Sequence, residues 1–335
     1  MLTRKDQDMK KIQYNRFWLL LLLAALSLLS LSVGVKEFSL LQMFQEGSDG
    51  QKLALLSRIP RLVSILITGA SLSIAGLIMQ TLTRNKFVAP STAGTMEWCR
   101  FGVMLALLLF AGAGTKTKMA AAFACSLGGT LLFMQLLKKI PYKEPVMVPL
   151  IGMMLGSVVS AVTTFFAYRY DLVQNISSWL EGSFSLILKG RYELLYLGIP
   201  FLALGYVYAD RFTISGMGED MAKGLGLNHN VVVFTGLAIV AMITSAVTVT
   251  VGSIPFVGII VPNLVSMWKG DNLKGSILDT ALSGALFVLL CDLLGRVILF
   301  PYEVSVNVMM SVMGSAVFLV LLFKQQSGKG RRKQA

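Results

Sequence analysis

Between His229 and Lys269 lie 39 consecutive residues without a formal charge. A helix crosses the bilayer core with about 20 mostly apolar residues. This stretch is too long for one crossing and fits two. Gly252, Pro255 and Gly258 stand near its middle. Proline lacks a backbone donor and glycine weakens a helix, so the break belongs there. The second piece, about residues 254–268, is short for a full crossing.

The same ruler applies to the rest of the chain. The gaps 17–35, 62–83, 119–137, 145–168 and 304–323 hold 19, 22, 19, 24 and 20 uncharged residues. Residues 101–115 form a weaker span, which begins near Thr95 if Glu97 and Arg100 lie inside it. Residues 194–209 suffice for a short helix, and 277–299 form another span with Asp292 and Arg296 near its far end. The total is ten. The expected fold is an all-α polytopic membrane protein of ten transmembrane helices with both termini on one side. The expected layout is a basic tail over 1–16, a single transmembrane unit over 17–323 and a second basic tail over 324–335.

Composition agrees. Only 14% of residues are charged and 55% are hydrophobic, with a mean hydropathy of +0.71; a soluble domain carries about 25% charge. This excludes a water-soluble fold, and also disorder, which needs low hydrophobicity. The net charge of +13 would suggest nucleic acid in a soluble protein. Here it reports orientation. With both termini cytoplasmic, 19 of the 30 Lys and Arg fall inside and 10 outside, with Arg100 in a span. Acidic residues divide 8 and 8, with Glu97 in a span. The positive-inside rule counts Lys and Arg, so no nucleic-acid partner is needed. The first apolar run lacks a clear small-x-small cleavage site and reads as an uncleaved helix rather than a signal peptide.

Cys99, Cys125 and Cys291 make no disulfide framework and no metal-ligand spacing. A lone histidine, His229, excludes a histidine-based metal or triad site. No P-loop, H-E-x-x-H or G-x-S-x-G motif occurs. No catalytic residue, cofactor or bound metal is expected.

Four polar places stand out. Arg58 and Arg61 flank Pro60 just outside the second span. They read as snorkelling anchors or as acceptors for carboxylates of an external partner. Gln80 to Thr95, QTLTRNKFVAPSTAGT, reads as an inner-face turn marked by Asn85, Pro90 and Gly94. Residues 209–230 form a polar insertion. Ser215 or Gly218 can cap a short helix there, with Glu219 and Asp220 at its start and Gly224 and Gly226 at its end. That helix offers a contact for a soluble partner, or the segment merely joins two spans. The fourth place is intramembrane charge. Glu97 and Arg100, and Asp292 and Arg296, have the spacing of helix-face pairs. Such residues are functional candidates or self-neutralising structural pairs. Met153, Met154, Met309, Met310 and Met313 cluster in spans, as adaptable packing or as the lining of a path for bulky cargo.

The segment RIPRLVSILITGASLSIAGLIMQTLTRNKFVAPSTAGT resembles the R-x-P-R…G-A-x-L…Q…R-N-x-x-x-x-P…G signature of the iron-siderophore and vitamin B12 (FecCD-type) permeases of ABC importers. GEDMAKGLGLN is similar to their cytoplasmic coupling segment, GSIPFVGIIVPN to their G-x-I-x-F-V-G-L-x-x-P-H, and DLLGRVILFPYEVSVNVMMSVMGSAVF to their last two spans. The resemblance runs from about Leu19 to Phe323. It implies a vitamin B12 importer permease-like fold in a bacterial cytoplasmic membrane. The implied partners are a second permease, a cytoplasmic ABC ATPase and an extracytoplasmic siderophore-binding protein, and the implied cargo is ferric siderophore. On this resemblance Arg58, Arg61 and Arg296 receive acidic residues of the binding protein. Glu219, Asp220, Ala222, Gly224 and Gly226 dock into the ATPase. Asn263 stands where the family has histidine. The glycine of the family's E-x-P-x pattern is Asn307 here, with Ser305 in place of the proline. Both departures touch the cargo pathway. VAPSTAGTMEW looks most like permeases for catecholate siderophores such as petrobactin, a subgroup that pairs with a different second permease; a homodimer is the alternative. From the residues alone, an ion-coupled secondary transporter would also suit the broken stretch with Glu97 and Asp292. An intramembrane enzyme would have only His229.

Overall fold

The computed structural model describes residues 4–34, 49–110, 112, 114–139, 147–185, 187, 190, 192–270 and 272–332. Of the charges used to assign topology, Lys36, Lys143, Lys189, Arg191 and Lys333 lie outside these residues. Among the described residues all regular structure is helical. The elements are α1 (Arg4–Ser32), α2 (Asp49–Leu53) with a π-turn (Ala54–Arg58), α3 (Ile59–Thr83), a 3₁₀ turn (Pro90–Ala93), α4 (Thr95–Leu109), α5 (Thr115–Lys139) and α6 (Met147–Arg169). Then come α7 (Val173–Leu180), a 3₁₀ turn (Glu193–Leu197) leading into α8 (Gly198–Val207), α9 (Ala209–Met217), α10 (Glu219–Gly224), α11 (His229–Val251), α12 (Val257–Lys269), α13 (Leu273–Val297) and α14 (Val306–Arg332).

Five helical stretches are long and apolar enough to cross a membrane: 50–83, 115–137, 147–169, 229–251 and 273–297. Shorter apolar helices cover 16–32, 193–207, 257–269 and 306–321. With α4 these make the ten elements expected. Helix α4 does begin at Thr95, so Glu97 and Arg100 lie inside it. The uncharged stretch of 39 breaks where expected: α11 ends at Val251, Gly252 has φ +92°, and Phe256 sits in the left-handed region before α12 begins.

Helix α3 is the hub, packed against α13, α11 and α12. Glycines let these backbones meet. A Cβ at Gly69 would stand 2.5 Å from the Gly284 carbonyl oxygen of α13, and one at Gly76 would stand 1.9 Å from the Gly258 carbonyl oxygen of α12. Where lipid replaces water, close packing of small residues is what holds helices together.

The inner end is the one where the charge distribution expects the cytoplasm. The segment between α3 and α4 is structured, as Asn85, Pro90 and Gly94 suggest, but it does not stay at the inner face. Pro90 packs against Gly258, which packs in turn against Gly76. Gly76 stands seven residues, about 10 Å, above Thr83 at the inner end of α3. Residues 84–94 therefore fold back into the helical layer. Non-helical backbone at such depth is tolerated only where protein or a water-filled cavity surrounds it. Here Asn85 Oδ1 accepts from the Phe87 amide (2.9 Å), and the Thr92 and Gly94 amides bond to Ala89 and Ser91 carbonyls.

Candidate functional site

Three polar zones stack along the molecule. The outer zone is built on α13. Asp292 accepts from Arg61 of α3 at 2.9 Å and pairs with Arg296 one turn along its own helix. Arg61 also holds Glu303 at 2.8 Å, and the Ser185 hydroxyl donates to the same carboxylate at 2.6 Å. Burial pushes the Glu303 carboxyl up, but the Ser185 hydroxyl and Arg61 outweigh it and hold it below the usual carboxylate range. The i, i+4 pairing of Asp292 with Arg296 is the one the spacing predicts. Arg296 is only 6% exposed and also donates to the Ser30 carbonyl at the end of α1. Arg58 donates to the Leu31 and Ser32 carbonyls. The three outer arginines thus lie together but are occupied within the chain, and Glu303 is the most exposed of the acidic partners.

The middle zone holds the two interruptions. Pro262 lies inside α12 and cannot donate to the Gly258 carbonyl four residues back. Gln80 of α3 supplies the missing donor: its Nε2 bonds Gly258 O at 3.1 Å and Ile259 O at 3.2 Å. Asn263 donates to Ile259 O (2.8 Å) and Lys86 O (2.7 Å), tying α12 to the re-entrant segment. The break before α12 is satisfied by the end of α7. Ser253 N bonds Leu180 O, Ser183 N bonds Val251 O, and Asn307 N of α14 bonds Gly182 O. A cavity of about 120 Å³ lies between the interruptions, lined by Pro90, Ser91, Thr244, Thr248, Gly252 and Ser253 among others. Glu97 and Arg100, expected to be able to pair, form no ion pair with each other; Glu97 turns instead toward Gly156 of α6. The methionines divide: Met309 and Met310 are buried, whereas Met153 and Met154 face outward from α6.

The inner zone contains the 209–230 segment. Ser215 does not cap the short helix, because α9 runs through it to Met217; its hydroxyl meets His229 Nδ1 at 2.8 Å. Gly218, at φ +137°, is the N-cap of α10. Helix α10 carries Glu219 and Asp220 in its first turn. It closes in a Schellman turn, with Gly226 at φ +76° and Leu227 N bonding Ala222 O. Glu219 pairs with Lys223 at 2.9 Å, and Glu219 is what raises the Lys223 ammonium above its ordinary value. Ala222 is buried, while Met217, Met221 and Leu225 are exposed around it. That apolar rim is legible in the sequence only through its spacing of four.

Asp279 is buried on α13, and no motif marks it in the sequence. It accepts from Arg16 of α1 at 3.0 Å and pairs with Lys269 at the end of α12. Nearby, Lys274 and Asp210 pair at 2.5 Å.

Comparison with known proteins bears on the family and the fold. Residues 20–324 match the FecCD transport family. The chain is 51% identical over 310 residues to the petrobactin import system permease protein YclN of Bacillus subtilis (strain 168), covering 92% of this chain and 98% of that one. It is 35% identical to the petrobactin import system permease protein FatD of Bacillus anthracis, covering 95% and 96%. Among solved structures, a metal-chelate type ABC transporter in an inward-facing conformation superposes with a TM-score of 0.81. The identity there is 26%, with 92% of this chain and 98% of that one covered.

Proposed function

The chain belongs to the FecCD transport family, and from that premise we propose that it is the permease subunit of an ATP-binding cassette importer carrying a ferric siderophore of the petrobactin class across the bacterial cytoplasmic membrane. The match to import permeases over nearly the whole of both chains carries the reading. Residues 17–323 act as one transmembrane unit between the cytoplasmic tails 1–16 and 324–335. The work of ATP hydrolysis belongs to a separate cytoplasmic ATPase, and a second permease completes the pathway.

In this reading the α10 segment is the ATPase contact. Glu219, Asp220, Ala222, Gly224 and Gly226 shape it, and the exposed Met217, Met221 and Leu225 supply apolar area for a groove on the partner. Helix α10 packs on α9 and α11, and α9 packs on α3. A push at α10 therefore reaches the hub as rigid-body motion. On the outer face, Arg58, Arg61 and Arg296 serve an incoming binding protein. Arg61 meets its carboxylate by exchange with Glu303, while Arg296 keeps Asp292 in place beneath. Asn263 and Asn307 hold the two interruptions in register along the pathway.

The test is purification of the tagged chain from its native membranes in mild detergent, with mass spectrometry of what accompanies it. A stoichiometric P-loop ATPase, with or without a second permease, is expected. A chain that comes down alone under conditions that preserve known complexes would overturn the importer reading in favour of ion-coupled transport.

A further inference from the structure

Glu97 lies deep in the helical layer. A Cβ built at Gly156 would stand 3.4 Å from its Oε2. Gly156 is nine residues, about 14 Å, above Met147 at the inner end of α6 and about 20 Å below Arg169 at the outer end. Among the described residues, no hydrogen bond or ion pair holds its carboxyl group. It opens into a groove of about 400 Å³ lined by Ser91, Thr92, Gly94, Ser157 and Ser160 with Met153. Arg100 does not line that groove.

A carboxylate costs about 2.5–3.5 kcal/mol at the centre of a bilayer, so a groove with an unpaired one does not face lipid. It faces water, a partner subunit or cargo. Its chemistry leans to acceptors, with only the Ser91 and Ser160 hydroxyls left able to donate. A carboxylate only accepts hydrogen bonds. The Thr92 and Ser157 hydroxyls spend their protons on the Ala89 and Met153 carbonyls and present acceptor lone pairs. Gly94 and Gly156 leave no side chain between the carboxyl group and the groove. Such a surface selects a group rich in N–H donors and positive charge.

We infer that Glu97, with Ser91, Thr92, Ser157 and Ser160, is a cargo-recognition site in the transport pathway that takes the ammonium-bearing arm of an otherwise intact ferric chelate. The inference rests on the importer reading above and adds a cargo chemistry to it. The hydroxyls and the single carboxylate are not a ligand set for the iron, which stays in its chelator.

The test uses the complete importer in cells depleted of iron. Two ferric bis-catecholate probes are compared, one with a secondary ammonium in its linker and one with that nitrogen acylated and neutral. The readout is the ratio of their uptake KM values, with membrane levels checked by immunoblot. A charge-assisted hydrogen bond contributes about 1.5–3 kcal/mol, so Glu97→Gln should reduce the preference for the cationic probe about 10- to 100-fold. Glu97→Asp should keep most of it. A ratio unchanged in Glu97→Gln, including uptake of both probes falling together, overturns the recognition role while leaving the importer reading intact. ATP-independent uptake of both probes by the native protein overturns the importer reading itself, and this inference with it.

Discussion

Helix α13 carries two buried aspartates, thirteen residues and so about 20 Å apart, and each holds two cations. Asp279 at the inner end holds Arg16 and Lys269; Asp292 at the outer end holds Arg61 and Arg296. The chemistry is the same and the burial is not. The outer cations are 14% and 6% exposed, the inner ones 32% and 15%. The outer group also recruits Glu303, which leaves two cations against two anions, whereas the inner group sets two cations against one. An ion pair closed off from water is costly to break because the stranded charge has nowhere to go. One that still reaches water can be rehydrated. The outer group therefore acts as a fixed anchor of α13 on α3. The inner group is a looser tie of α13 to α1 and α12, at the end where the proposed ATPase would act.

The largest test of this contrast is Asp292→Ala. It strands Arg296, leaves Arg61 with Glu303 alone, and should cost about 3–5 kcal/mol, read as a lower thermal midpoint in detergent or loss of the protein from the membrane. The quadruple change Arg61→Met, Asp292→Leu, Arg296→Met, Glu303→Gln should be milder than Asp292→Ala alone, because it leaves no unpaired charge. If the single change proved the milder, the anchor would be wrongly assigned.

Asp279→Ala should cost less, about 1–3 kcal/mol, since Arg16 and Lys269 regain water. Equal midpoints for the Asp279 and Asp292 variants would erase the distinction between the two ends.

A smaller effect separates the groups by pH. Glu303 is held below its ordinary value in the folded protein. Its stabilisation is present above the unfolded carboxylate pKa of about 4.3 and is lost as pH falls through the depressed folded value. An acid titration of the thermal midpoint should show this component in the native chain and not in Glu303→Gln. Identical acid limbs would place Glu303 outside the anchor.

The smallest effect belongs to Lys274→Ala. Its pair with Asp210 is exposed on both sides, and exposed pairs contribute little and are screened by salt. No measurable change in thermal midpoint is expected; a clear drop would mean that the inner end is drier than its exposure indicates.

The residues show how far the sequence could be read. The ten spans were legible because helix length and hydrophobic transfer are local quantities. The break at Gly252 was legible because Pro255 and the flanking glycines cannot continue a helix wherever they are placed. The Asp292–Arg296 pair followed from spacing. The same spacing does not pair Glu97 with Arg100, because it brings two side chains within reach without deciding which way they turn; Gly94 and Gly156 leave room for Glu97 on the other side. Ser215 has the chemistry of a cap, but α9 continues through it and only Gly218 has the backbone freedom to end that helix.

By itself the sequence determined the class of protein, the number of spans, the site of the break and the α10 insertion, since each follows from composition or periodicity along a short window of chain. Only the tertiary structure decided what Asp279 holds, that residues 84–94 turn back into the helical layer, and that Gln80 satisfies the carbonyl freed by Pro262. Those three depend on which helices become neighbours. A buried polar group must find its partner across that contact, because the membrane interior offers no water in its place.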